Sequence, residues 1–206
     1  MKLLFLHGWG FNRHFWDPLR AALAEHEGLA DDRGYFGAPL APAIEGPCLA
    51  LAHSFGTMRV LADPPPGLVG LVAFNGFDRF GAHDGRAGVP LRVIDRMARR
   101  LGQDPAAVLA EFRRTCGASD ECPQPDQVPL AADLARLRDE RAPMPEVPLT
   151  LVQGAADPLL SAEMREGAFS GCEARRLVHP GGHLLPREDP AFCAEVVRAA
   201  LATLPT

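Results

Sequence analysis

Leu49-Ala-Leu-Ala-His-Ser-Phe-Gly56 reads as a strand that ends in a sharp turn and hands over to a helix. Cys48 to Ala52 is a continuous apolar run, Ser54 stands at the turn, and Thr57 to Ala62 has a helical pattern. The arrangement fits the elbow pattern G-x-S-x-G, with Ala52 in the place of the first glycine. Small residues belong there for a steric reason. The serine of such a turn takes a strained backbone conformation, and the residues two before and two after it are expected to approach each other, so Gly56 fits and Ala52 is small enough. The strain lifts the hydroxyl above the sheet edge, and the helix start offers backbone N–H groups to a negatively charged oxygen. A buried serine at a strand end is the competing reading of the same residues.

Two further residues stand in corresponding places. Asp157 follows the strand Leu149-Thr-Leu-Val-Gln153, and His183 follows Pro180-Gly-Gly just after a short strand ending near His179. Each lies past the C-terminal end of a strand, so a parallel sheet brings Ser54, Asp157 and His183 to one edge. A neutral serine hydroxyl is a weak nucleophile. It needs a histidine to take its proton and a carboxylate to hold the imidazole tautomer, and the chain order Ser, Asp, His is one of the known solutions. The N–H groups of Phe55 and Trp9 are the candidate oxyanion donors. Asp78, after the strand ending at Phe74, is a rival acid. His7 reads as a structural residue of its loop, and His53 as loop packing or pocket lining.

Lys2 to Leu6, Leu68 to Phe74 and Pro148 to Gln153 are short apolar runs of the kind expected for strands buried on both faces. Arg175 to His179 is a shorter strand, and Gly28 to Arg33 a poor one. Helical patterns cover Asn12 to Glu25, Pro90 to Leu101, Pro105 to Cys116, Leu130 to Arg141, Leu160 to Gly167 and Pro190 to Leu204. Asp104 and Pro105 make a capped helix start. Ala38 to Pro47 holds three prolines and reads as loop, and Ala118 to Pro129 as a polar linker. Strands alternate with helices, so the class is α/β with a mostly parallel sheet flanked by helices. Residues 1–206 form one domain in this reading. The helices from about 84 to 130 break the alternation and form a helical insertion over the strands' carboxyl ends.

The net charge of −5 argues against nucleic acid as a partner, and no apolar run approaches the roughly 20 residues of a membrane helix. Met1-Lys-Leu-Leu-Phe-Leu is too short for a signal-peptide core and runs into His7-Gly8 without a cleavage site, so a cytoplasmic location is expected. Five cysteines without metal-type pair spacing read as buried or free thiols. No metal or organic cofactor is called for, and the chain is read as a monomer. Gly88 to Cys116 carries six arginines against three acidic residues, a net of +3, which leaves −8 for the remainder. A basic segment on an acidic body attracts an acidic partner, unless it is simply a solvated helix face.

With these residues in view, the chain resembles the α/β-hydrolase superfamily, and more narrowly the pimeloyl-[acyl-carrier protein] methyl ester esterases of biotin synthesis. Leu3-Leu-Phe-Leu-His-Gly-Trp-Gly10 with Trp16 is similar to their opening strand and oxyanion loop. Leu134-Ala-Arg-Leu-Arg-Asp-Glu-Arg141, Met144-Pro-Glu-Val-Pro-Leu149 and Gly154-Ala-Ala-Asp-Pro-Leu-Leu160 resemble their approach to the acid. Pro180-Gly-Gly-His-Leu-Leu-Pro-Arg-Glu-Asp-Pro190 with Phe192-Cys193 resembles their histidine loop and last helix. The helix that usually precedes the elbow strand has shrunk here to Ala38–Pro47. Phe112 matches a lid phenylalanine, but its neighbours Glu111, Arg113 and Arg114 are out of register with the family's lid arginines.

The resemblance implies a serine esterase with a helical lid, acting on a pimeloyl methyl ester carried by acyl-carrier protein. It calls for an apolar acyl slot, for which Trp9, Phe55, Phe74, Phe112 and Leu160 are candidates. It also calls for a basic face toward the acidic carrier, for which Arg92, Arg96, Arg99, Arg113 and Arg114 are candidates. The rivals are a general small-ester hydrolase or thioesterase with the same three residues, and a silent member of the fold used as a binding module.

Overall fold

The structure is a computed structural model, and it describes residues 1–204. Six strands form one sheet: β1 Lys2–Leu6, β2 Gly28–Ala30, β3 Cys48–His53, β4 Leu68–Phe74, β5 Leu149–Gly154 and β6 Ala174–His179. Their order is β2-β1-β3-β4-β5-β6, and every pairing is parallel, where a mostly parallel sheet was expected. Sheet growth reverses between β1 and β3. The chain first adds β2 on one side of β1, then crosses to place β3 on the other. Such a switch point opens a crevice at the carboxyl ends of the two strands, and Ser54 sits at its rim.

Side chains of successive strand residues go to opposite faces. Leu4, Leu6, Ala50, Ala52, Leu71 and Ala73 belong to one buried cluster, and Leu3, Phe5, Leu49, Leu51, Val72 and Phe74 to the other. Helix α2 (Phe55–Ala62) covers the first face. A 3₁₀ turn at Arg13–Trp16, helix α1 (Asp17–Ala22) and the closing helix α8 (Pro190–Leu201) cover the second. Between β4 and β5 the chain forms α3 (Leu91–Leu101), α4 (Pro105–Thr115) and α5 (Gln127–Asp139), with α3 packed on both of the others. Helix α6 (Ala162–Gly167) joins β5 to β6, and a four-residue helix α7 (Leu185–Glu188) precedes α8.

Several boundaries differ from the sequence reading for identifiable reasons. Helix α5 begins at Gln127 rather than Leu130, because the Asp126 carboxylate caps the N–H of Val128 and Pro129 falls in the first turn, where a missing N–H costs nothing. Helix α2 begins at Phe55, directly after the serine. Helix α7 was not anticipated; Glu188 reaches back to the N–H of Leu184, the residue before its first turn, in the manner of a capping box. The closing helix ends at Leu201 rather than Leu204.

The segment Ala38–Pro47 is loop, as its prolines require. The stretch leading into it is pinned by a buried carboxylate on α5. Asp133 is fully buried and accepts from Arg33 Nε at 2.6 Å, Arg33 Nη2 at 2.8 Å and the Tyr35 hydroxyl at 2.7 Å. Burial and the adjacent carboxylate push the Tyr35 phenol well above its ordinary value. Among the described residues, no helix is long and apolar enough to cross a membrane.

Candidate active site

Ser54 has φ 53° and ψ −124°, a left-handed backbone conformation that side chains other than glycine rarely adopt. The sequence reading expected Ala52 and Gly56 to crowd each other. The constraint on Gly56 lies elsewhere: a Cβ there would stand 2.3 Å from Leu6 O and 2.9 Å from His7 O. The elbow is pressed against the carboxyl end of β1, and backbone on both sides leaves no room. Gly8 is held in the same way, since a Cβ on it would meet His53 Nδ1 at 2.9 Å and Ser54 Cβ at 3.1 Å. The loop after β1 therefore lies directly against the serine.

That loop carries Trp9. His7 holds its start: the neutral ring donates from Nδ1 to Gly8 O (2.8 Å) and accepts the Arg33 N–H at Nε2 (3.1 Å), and burial lowers its pKa from the ordinary 6.5. The Trp9 indole N–H donates to Leu130 O at 2.9 Å, and its ring meets Phe112 edge-on at 4.8 Å. Among the described residues, the backbone N–H groups of Trp9 and Phe55 donate to no protein acceptor.

His183 and Asp157 are both buried, and His183 Nδ1 lies 2.7 Å from Asp157 Oδ2. The other carboxylate oxygen, Oδ1, accepts from the N–H groups of Leu159 (2.7 Å) and Leu160 (3.1 Å), which fixes its direction. A carboxylate facing Nδ1 places the proton there and leaves Nε2 with its lone pair. Nε2 is buried and has no hydrogen-bond partner among the described residues, Ser54 Oγ included. A buried polar atom without a partner costs about 1–3 kcal/mol and calls for an explanation. The rival acid, Asp78, is occupied elsewhere: it accepts from Arg141 Nε at 3.0 Å and from the Phe169 N–H at 2.9 Å.

The main chain of the histidine loop is tied down by residues that sequence reasoning passed over or left as packing. Asn75, just past β4, donates through Nδ2 to Gly182 O and His183 O, both at 2.9 Å, and accepts the Gly154 N–H at 2.7 Å. His53 Nε2 donates to His183 O at 2.9 Å, and its ring stacks on Phe15 at 4.3 Å. Burial first, and the neighbouring His183 second, hold His53 well below its ordinary pKa, so it is neutral. Glu188 accepts from the N–H groups on either side of His183, Gly182 at 2.7 Å and Leu184 at 3.0 Å. The signal available for Asn75 was its place one residue past a strand, on the same edge as the serine.

A cavity of about 120 Å³ opens from Ser54. Serine is the one polar residue among its walls apart from Trp9, whose indole N–H is already bonded. Of the residues named for the acyl slot, Trp9 and Phe112 line it. Phe55, Phe74 and Leu160 do not: Phe74 faces the opposite side of the sheet, Phe55 packs under Arg136, and Leu159 takes the place foreseen for Leu160. Phe77, Ile94, Leu134 and Leu137 complete the apolar wall. Outside it, a groove of about 200 Å³ runs between α3 and α4 and shares Val93, Met97 and Phe112 with the cavity.

Arg92, Arg96, Arg99 and Arg114 are exposed on these helices, and Arg96 and Arg100 flank the groove. Arg113 departs from the expectation. Its side chain is 6% exposed and turns inward, so it offers nothing to an outside surface. Among the described residues, no cluster of three or more His, Cys, Asp or Glu side chains is placed to hold a metal ion.

No family model matches the sequence, and no curated relative matches it. Solved structures do match. An esterase from Exiguobacterium antarcticum superposes with a TM-score of 0.79 at 17% identity, over 98% of this chain and 92% of that one. The chain has the α/β-hydrolase fold. A hydrolase from Pseudomonas aeruginosa PA01 gives a TM-score of 0.71 at 20% identity, over 97% and 89% of the two chains. A bromoperoxidase from Bacillus anthracis gives 0.76 at 14% identity, over 98% and 91%. The α/β-hydrolase fold thus carries differently named activities at similar likeness, and the chemistry has to be argued from the site.

Proposed function

We propose that the protein is a serine carboxylesterase of the cytoplasm, acting as a single-domain monomer with α3 and α4 as a helical lid. The observation that carries this reading is the apolar cavity with Ser54 at its polar end, together with a buried His183–Asp157 pair whose Nε2 has no partner among the described residues. Ser54 Oγ attacks the ester carbonyl as His183 Nε2 takes its proton. Asp157 keeps the other ring nitrogen protonated and stabilises the imidazolium. The Trp9 and Phe55 N–H groups receive the carbonyl oxygen as it becomes negative. The ester C–O bond then breaks, the alcohol leaves with the proton from His183, and water returns the acid and the free serine by the reverse sequence. In an empty site the serine–histidine bond is often open and closes in the substrate complex.

The substrate is a methyl ester at the end of a pimeloyl chain carried by acyl-carrier protein. An apolar wall around Ser54 accepts methylenes and rejects a free carboxylate, since no cation lines the cavity. The groove between α3 and α4 shares walls with the cavity, so an acyl chain reaches Ser54 from a surface bearing Arg92, Arg96, Arg99 and Arg114. That surface suits an acidic carrier. The small cavity favours a second reading, a general short-ester hydrolase or thioesterase. Turnover of the carrier-bound methyl ester against p-nitrophenyl acetate and butyrate separates the two. The first reading predicts a kcat/KM for the carrier-bound ester at least tenfold higher, falling with added salt. Equal or better turnover of the free esters, without salt dependence, contradicts it.

A further inference from the structure

Arg113 is a buried cation at the inner face of α4, and it does not face solvent or the cavity. Its Nη1 donates to Gly10 O at 3.1 Å and its Nη2 to Asp120 Oδ2 at 2.7 Å. The guanidinium lies 4.9 Å from the Phe11 ring centre and 5.9 Å from that of Phe36, and Nε has no partner among the described residues. Asp120 Oδ1 in turn accepts from Arg187 of α7 at 3.2 Å, four residues past His183. Burying a charge is expensive, and an apolar side chain of similar volume at such a place is often as stable or more so. The cation therefore has to be accounted for by what it holds.

What it holds is the exit of the Trp9 turn. Gly8 to Phe11 form a turn closed by Phe11 N to Gly8 O at 3.4 Å, with Gly10 at φ 76°, the positive value such a turn needs at its third residue. The turn has no regular structure of its own to fix it. His7 holds Gly8 O at one end, the Trp9 indole is tied to Leu130 O, and Arg113 holds Gly10 O at the other end. A Cβ on Gly10 would stand 2.7 Å from Leu109 Cδ1, so α4 also presses on the turn directly.

We infer that Arg113 is a positioning residue for the oxyanion site: by fixing the Gly10 carbonyl from above, it sets the direction of the Trp9 N–H toward the carbonyl oxygen of the substrate. This rests on the esterase reading. It also makes α4 a fixed roof, joined through Asp120 and Arg187 to the helix that follows His183.

The test compares wild type with Arg113→Met, Arg113→Lys and Asp120→Asn on p-nitrophenyl butyrate, alongside the inhibition constant of butylboronic acid, whose tetrahedral adduct on a serine places an oxygen in the oxyanion site. Arg113→Met keeps the packed stem and removes both hydrogen bonds. Its kcat is expected to fall at least tenfold with KM within threefold, and the boronate constant to rise by the factor that kcat/KM falls. A purely structural role would lower the melting temperature and leave those ratios alone. Arg113→Lys keeps the charge without the fork and is expected to lose at least threefold in both readouts. Asp120→Asn leaves the Gly10 contact in place and is expected to stay within threefold of wild type. Folded Arg113→Met with unchanged kcat and boronate affinity overturns the inference. If that variant does not fold, unchanged values for Arg113→Lys overturn it equally. A wild type that neither turns over the ester nor binds the boronate removes the esterase reading itself, and this inference with it; that outcome is recognised without any variant.

Discussion

Gly154→Ala adds one methyl group where the strand leading to Asp157 presses on the main chain of the histidine loop. Gly154 ends β5, three residues before Asp157. A Cβ there would stand 2.2 Å from Gly182 O and 2.6 Å from Gly181 O. Real Cβ atoms essentially never come within 3.0 Å of such a neighbour, so the histidine loop has to retreat by about 0.8 Å. Neither side gives cheaply. The Gly154 N–H is bonded to Asn75 Oδ1, and the retreating carbonyls of Gly182 and His183 are bonded to Asn75 Nδ2. Overpacking of this kind costs about 1–3 kcal/mol, which in a chain of this length lowers the melting temperature by roughly 3–10 °C. The rate suffers more. A displacement near 1 Å in a reacting group can cost on the order of 100-fold, and the shift bears directly on the 2.7 Å contact between His183 and Asp157. Thermal melts by circular dichroism and kcat on p-nitrophenyl butyrate give the two numbers separately. A Gly154→Ala protein that melts within 1 °C of wild type and keeps kcat within twofold would refute the geometric reasoning.

Asp157→Asn retains the shape of the acid and leaves His183 free to take the wrong tautomer; kcat is expected to fall by about 10⁴, as in other enzymes of this logic, read by steady-state kinetics. Asn75→Gly keeps the positive φ of 49° easy to adopt and deletes three hydrogen bonds of the histidine loop. At about 0.5–1.5 kcal/mol each, the loss is about 2–4 kcal/mol in a urea titration, and a variant as stable as wild type would contradict the assignment. Stability is also expected to depend on pH through His53. Its pKa in the folded protein lies well below the ordinary 6.5, chiefly through burial. As pH falls through about 6.5 the unfolded chain binds a proton that the native state refuses. The stability contributed by neutral His53 is therefore complete above that pH and is lost below it. Melts between pH 7.5 and 5 show the decline, and His53→Gln makes it shallower, the remainder coming from His7, whose pKa burial also lowers; an equal slope in the variant would place the titration elsewhere.

The parallel sheet was legible because four of its strands, β1, β3, β4 and β5, are apolar runs, and because Ser54 and Asp157 follow two of them while His183 follows the more polar β6. Each of the three chemically distinct side chains lies just past the C-terminal end of a parallel strand, which puts them on one edge. What stayed hidden depends on contacts between segments far apart in the chain. Asn75 looks like one more polar loop residue until Gly154 and His183 are seen on either side of it. Gly56 has to be small, but the atoms that demand it belong to Leu6 and His7, about fifty residues earlier. Arg113 is hidden from a reading by charge, because its spacing along α4 and not its charge sets its direction. It lies four residues after Leu109 and three before Cys116, both buried, and so on the inward stripe of α4. Phe112, its neighbour on α4, lines the cavity. Leu160 and Leu159 exchanged roles because the turn after Asp157 is fixed by its hydrogen bonds to both N–H groups, a detail below the reach of a pattern.

The most direct test of the whole account is mass spectrometry of the protein after reaction with a fluorophosphonate. Wild type is expected to carry one adduct, on the peptide containing Ser54, and His183→Ala is expected to form it at least 100-fold more slowly. An unmodified Ser54 in wild type, or an adduct that forms as fast without the imidazole, would contradict the claim that His183 makes this hydroxyl a nucleophile.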